Sequence, residues 1–171
     1  MTNNENPDIH LVIDIAQQTL ILYQHNKKMA QYTVSTAKNG IGSRQDSGCT
    51  PLGKHFIAKK IGASEPINTV FIGRVPTGEI YDAELGKQHP DRDWILSRIL
   101  WLSGMEEGVN KGINSQGGCD TYQRYIYIHG TPDSEPMGVP LSHGCIRMRN
   151  EDIIELFDQV EAGTLVVITA H

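Results

Sequence analysis

The chain has 171 residues, the size of one ordinary domain, and its 39% hydrophobic content supplies enough apolar side chain for one core. With 15 basic against 20 acidic side chains and a net charge of −5, it is neither an acidic disordered segment nor a basic nucleic-acid binder. No uninterrupted apolar run exceeds four residues, whereas a membrane-spanning helix needs roughly 20, so no membrane span is expected.

Seventeen glycines and eight prolines call for many turns and short elements, which predicts a mainly β domain with few helices. After a polar tail over residues 1–7, the stretches 10–15 and 19–24 read as two strands of a hairpin about Ala16-Gln17-Gln18. A turn at 25–28 leads into a third strand from Met29 to Ala37 and completes a meander. Glycines and Pro51 mark the next loop, and 55–58 and 69–72 are further short strands. Over 92–103, Trp94, Ile95, Arg98, Ile99 and Leu102 recur at helical spacing, with Asp91 or Asp93 as a cap and Gly104 as a stop, so a surface helix is predicted. Residues 104–119 are rich in Gly, Asn and Ser and read as a loop beside a site. From Arg124 to His129 tyrosines and isoleucines alternate as in a strand, which delivers His129 to its end. Asn150 as a cap and the acids Glu151 and Asp152 at the positive end of the dipole open a helix with an apolar stripe at Ile153, Leu156, Phe157 and Val160, and Gly163 ends it. Residues 164–169 form a last, buried strand.

The amino terminus has no basic start, since the first Lys or Arg is Lys27, and Asp8 and Asp14 interrupt its apolar stretch. A chain beginning at Met1 is therefore expected in the cytoplasm, or in the periplasm if an export signal has been removed. Three cysteines, Cys49, Cys119 and Cys145, leave at least one thiol unpaired, which agrees with a reducing compartment.

Chemistry concentrates in Ile128-His129-Gly130-Thr131 and Ser142-His143-Gly144-Cys145-Ile146-Arg147-Met148, with twelve residues between His129 and Ser142. A free thiol of pKa about 8.5 is ionised only to a few per cent near neutral pH, and a neighbouring imidazole answers that. Cys145 would attack a carbonyl, and one of the histidines would hold its proton and return it to the leaving amine. The amides of His143, Gly144 and Cys145 would converge on the developing oxyanion. Cys49 and Cys119 lack such a context and read as inert small hydrophobes. A zinc site of His129, His143, Cys145 and Cys119 competes for the same residues, but the sequence has no Cys-x-x-Cys pair, so no metal and no cofactor is expected.

Ile-His-Gly-Thr followed by Ser-His-Gly-Cys-Ile-Arg-Met resembles the active-site signature of the L,D-transpeptidase catalytic domain, the YkuD family of bacterial cell-wall enzymes. The likeness extends through the opening strands, Thr50-Pro51-Leu52-Gly53 and the helix after Asn150, covering roughly residues 8–170 as one catalytic domain. It implies a β-sandwich-like pair of mixed sheets and Cys145 as nucleophile. His129 is then the base, Gly130 its orienting partner, and His143 and Gly144 part of the oxyanion site. Arg147 and Ser142 lie beside the substrate, with Arg124 as a second reader of its carboxylate. The implied substrates are peptidoglycan stem peptides or muropeptides, with acylation by carbapenems. Residues 92–121 are similar to those of members without a signal that handle recycled wall fragments in the cytoplasm, which favours an L,D-carboxypeptidase. Periplasmic crosslinking and silent muropeptide binding are the alternatives.

Overall fold

In the computed structural model, residues 8–171 are described, and the polar tail expected over 1–7 lies outside them. The meander forms as expected from β1 (Ile9–Asp14), β2 (Thr19–Gln24) and β3 (Lys27–Ser35). His25 and Asn26 alone make the second turn, both with positive φ (50° and 61°), so β3 begins at Lys27, opposite Gln24, rather than at Met29. Then come β4 (Gly53–Ile61), the hairpin of β5 (Thr69–Ile72) and β6 (Val75–Ile80), and the short helix α1 (Ala83–Gln88). The chain continues with β7 (Ile95–Gly104), the small ribbon of β8 (Ile113–Asn114) and β9 (Gly117–Gly118), β10 (Tyr127–Gly130) and β11 (Ile146–Met148). The helix α2 (Asn150–Gln159) and β12 (Leu165–Thr169) complete it.

The mainly β fold with mixed sheets and few helices is as expected, except that the main sheet closes on itself instead of packing as a sandwich. The order β10-β11-β3-β2-β1-β12-β4-β7 returns on itself because β7 also pairs with β10, and β5 and β6 extend outward from the start of β7. The pairing is mixed: β1 with β12 and β10 with β11 are parallel, the other neighbours antiparallel. Closure removes unpaired edges from the ring and gathers Leu11, Leu20, Val34, Ile57, Leu100, Ile128, Ile146 and Val166 into one core with Ile153, Leu156 and Phe157 of α2. Each fully buried aliphatic side chain of this set contributes about 1.5–3 kcal/mol.

The surface helix expected over 92–103 is instead the central strand β7. It is buried almost throughout, flanked by β4, β5 and β10, so both of its faces are buried and the period-two signal vanishes. Ser97 and Arg98 form a bulge, with Ser97 at φ 70°, and shift the register exactly where β10 passes from His129 to Gly130. The hydroxyl of Ser97 accepts from the Asn68 N–H (2.9 Å) and donates to Asn150 Oδ1 (2.7 Å). Asn150, expected as a cap, is the first residue of α2, and Arg149 caps the helix without a side-chain bond. The buried Asn150 amide instead ties β7 to the carbonyl of Thr131 (2.8 Å), just beyond β10.

Candidate active site

Parallel pairing of β10 and β11 sets Ile128 beside Ile146 and His129 beside Arg147. Because strand side chains alternate, Ile128, Ile146 and Met148 enter the core while Tyr127, His129, Cys145 and Arg147 share the opposite face. That face lines a pocket of about 280 Å³, whose walls also include Arg74, Asp93, Arg124, Tyr125, Ser142 and His143. The strand expected from Arg124 starts only at Tyr127. Residues 121–125 form a turn, and Tyr125 takes a left-handed φ of 56°.

Cys145 is half-buried one residue before β11. Its thiol donates to the Tyr125 carbonyl and its sulfur accepts the Tyr127 N–H, each at 3.3 Å. Burial pushes the thiol up to about 12, assisted by the Asp93 charge and opposed by the Tyr127 amide, Arg147 and Arg124. His129 is buried, and burial lowers its pKa, while the Gly130 carbonyl and Asp93 act to raise it. Its Nδ1 lies 2.6 Å from the Gly130 carbonyl, which assigns the proton to Nδ1 and leaves the Nε2 lone pair as the ring's proton acceptor. Both shifts favour a neutral thiol beside a neutral imidazole over a resting ion pair.

Glycine is required at two places. A Cβ on Gly130 would stand 2.5 Å from Asn150 Oδ1 and 2.6 Å from the Leu96 carbonyl, and Gly144 has φ +130° with the Cys49 carbonyl 3.2 Å from its Cβ position. The loop before Cys145 is fixed from below by Thr50 of the Thr-Pro-Leu-Gly stretch. Its hydroxyl accepts the Ala37 N–H (3.0 Å) and donates to the Gly144 carbonyl (2.9 Å). Ser142 Oγ accepts the Gly144 N–H at 3.2 Å, so one of the three amides assigned to an oxyanion already has a partner.

His143 stands on the rim with its side chain 76% exposed, and its Nδ1 is 3.6 Å from Asp93. Arg147 is buried, and its guanidinium donates to Asp93 Oδ1 at 3.1 Å and to the Leu141 carbonyl at 3.4 Å, so it is ion-paired with Asp93. Arg124 lines the pocket while donating to the carbonyls of Gly42 and Cys49 and to Ser47 Oγ, which clamps the 42–49 loop against the site. Asp93, expected as the cap of a helix over 92–103, instead stands in the pocket wall beside Arg147. Burial raises its carboxyl, but the electrostatic pull of His129, Arg147 and His143, which is full only when the imidazoles are protonated, outweighs that and holds it below the usual range. Among the described residues no group of three His, Cys, Asp or Glu could hold a metal ion, and the three thiols are free. Nor is any described helix long and apolar enough to cross a membrane.

Cys145 and His129 thus line one pocket on the outer face of a closed β sheet. The family model for the YkuD L,D-transpeptidase catalytic domain matches residues 8–168, and the chain belongs to that family. Among curated relatives, Bacillus subtilis L,D-transpeptidase YqjB is 41% identical over 58 residues, 34% of this chain and 31% of that protein. Bacillus licheniformis L,D-transpeptidase YkuD is 39% identical over 66 residues, 36% of this chain and 40% of that protein. The matches thus span well under half of those relatives. Among solved structures, Bdellovibrio bacteriovorus Bd1075 superposes with a TM-score of 0.62 at 19% identity, covering all of this chain and 51% of that one. An L,D-transpeptidase from Mycobacterium smegmatis gives 0.54 at 18% identity, covering 96% and 59%. At such identities the structures share the fold. The L,D-transpeptidase LdtMt1 has been solved with imipenem.

Proposed function

We propose that this protein cleaves the bond between the L-centre of the diamino acid and the terminal D-alanine of peptidoglycan tetrapeptide stems, using Cys145 as nucleophile and His129 as base. The observation that carries the reading is the shared outward face of β10 and β11, which presents both side chains to one pocket with His129 Nδ1 tied to the Gly130 carbonyl. Sγ bonds to the scissile carbonyl carbon as its proton passes to His129 Nε2. The carbonyl electron pair moves to oxygen, where the amides of His143 and Cys145 meet it, and returns as the C–N bond breaks. The amine of D-alanine leaves with the proton from His129, and a thioester remains. Water then adds to the thioester, giving its proton to His129, and the tripeptide acid and the free thiol are released.

Water as acceptor makes the protein an L,D-carboxypeptidase. The likeness of residues 92–121 to members that handle recycled wall fragments supports this and a cytoplasmic location. Transpeptidation is the second reading, favoured by an adjoining pocket that shares Asp93, His143 and Arg147 with the first and could admit the amine of another stem. In either case a carbapenem is expected to acylate Cys145. Incubation with a disaccharide tetrapeptide, with products separated by mass, tests the assignment: tripeptide and free D-alanine are expected, whereas a crosslinked dimer would establish transpeptidation. Absence of both would reject acyl transfer on stems.

A further inference from the structure

Three arginines line the catalytic pocket, and two are engaged. Arg147 is paired with Asp93, and Arg124 is held by the 42–49 loop. Arg74 differs. Its guanidinium donates to the Tyr127 hydroxyl (3.1 Å) and lies over the rings of Trp101 (4.8 Å) and Tyr125 (4.9 Å), all neutral partners. Among the described residues no carboxylate stands within ion-pair distance of it. Lys59, over Trp101 and Tyr122 at 5.3 and 5.9 Å, adds a second positive charge to the same aromatic wall.

The backbone supports a built feature. Gly73 and Arg74 form the two-residue turn between β5 and β6 with φ of 56° and 66°. The second place in such a turn suits Gly or Asn, and a long side chain adopts it rarely. Tyr125, on which the guanidinium rests, is also left-handed, and the same residue's carbonyl accepts the Cys145 thiol. Two strained residues thus meet over the nucleophile, one of them carrying a cation without an acid.

We propose that Arg74 is the group that binds the terminal carboxylate of the leaving D-alanine. The choice of carboxylate follows from position: Arg74 is joined to the nucleophile through single residues, Tyr125 and Tyr127, each bonded to Sγ, and the terminal carboxylate lies one residue from the scissile carbonyl. Guanidinium and carboxylate match as a planar fork, and the rings of Trp101 and Tyr125 beneath the guanidinium orient it.

This assignment rests on the acyl-transfer reading above, and its test separates the two. Arg74→Asn is the suitable variant, because Asn tolerates the left-handed turn. The rate of D-alanine or D-alaninamide release is measured on the tetrapeptide and on its C-terminal amide. On the acid the variant should lose about 10- to 100-fold in kcat/KM relative to the wild type, and on the amide little. Equal losses on acid and amide, or no loss on the acid, would overturn the assignment while leaving acyl transfer intact. A wild-type protein that releases neither product would overturn both.

Discussion

The pH dependence of Cys145 alkylation separates a neutral Cys–His pair from a preformed ion pair. With the thiol pushed up to about 12, the thiolate fraction at pH 8 is on the order of 10⁻⁴, against about 0.2 for an ordinary cysteine of pKa about 8.5. That is a deficit of roughly 10³. A more basic thiolate is also a better nucleophile, and with a Brønsted slope of about 0.45 the higher pKa restores some 30- to 40-fold. The net expectation is that iodoacetamide modifies Cys145 about 50-fold more slowly than a model thiol at pH 8. Its rate should climb about tenfold per pH unit to pH 10 without a plateau. Peptide mass analysis after timed quenching reads Cys145 apart from Cys49 and Cys119. A rate that is already saturated below pH 7 would refute the reasoning, since it would mean a resting thiolate stabilised by a protonated His129.

His129→Ala should reduce acylation by stem peptides about 10²- to 10⁴-fold in a single-turnover assay without unfolding the domain; a deficit under about threefold would transfer the role of base to His143. Because burial lowers the His129 pKa, the acid limb of kcat/KM in the wild type should fall below the ordinary value of about 6.5, and a limb above it would contradict the geometry. Gly130→Ala places a methyl against Asn150 Oδ1 and the Leu96 carbonyl and should cost about 1–3 kcal/mol in urea unfolding, with activity lost as well. His55, buried between the Gly53 carbonyl and Thr121 Oγ1 at 3.0 Å each, has its pKa lowered to about 4, mainly by burial. The unfolded chain therefore takes up its proton first as pH falls: the stability is complete above about 6.5 and declines by up to about 3 kcal/mol toward pH 4. His55→Asn should flatten that part of the stability profile, and an unchanged slope would show that other groups dominate it.

The meander and α2 were legible because each leaves one face to solvent or shows a clear stripe, so local periodicity reports burial; β12 was legible as the continuous apolar run 165–168, although its burial alternates between half-buried and buried residues rather than being complete. β7 was not, since a strand buried on both faces has no alternation, and its spacing of Trp94, Ile95, Arg98, Ile99 and Leu102 imitates a helix. That error concealed Asp93, whose place beside Arg147 and His143 comes from long-range packing rather than from neighbouring residues. β6 was missed because Pro76 and Gly78 interrupt it, which an exposed edge strand tolerates, and α1 because it buries no residue and so carries no stripe. Among the chemical groups, His129, Gly130 and Ser142 to Arg147 were legible as a compact motif. Arg74 and Tyr125 carry no motif, although a Gly-Arg pair between Ile72 and Val75 is a hairpin signal of the kind that could have placed Arg74 at a turn.

The central claim is a covalent one, that Cys145 carries the acyl group of the stem. Rapid acid quenching of the protein with a tetrapeptide substrate, followed by peptide mass mapping, tests it directly. The account predicts a tripeptidyl thioester on the peptide containing Cys145, D-alanine released in step with it, and loss of both signals in Cys145→Ala. Release of D-alanine by Cys145→Ala at the wild-type rate would contradict it.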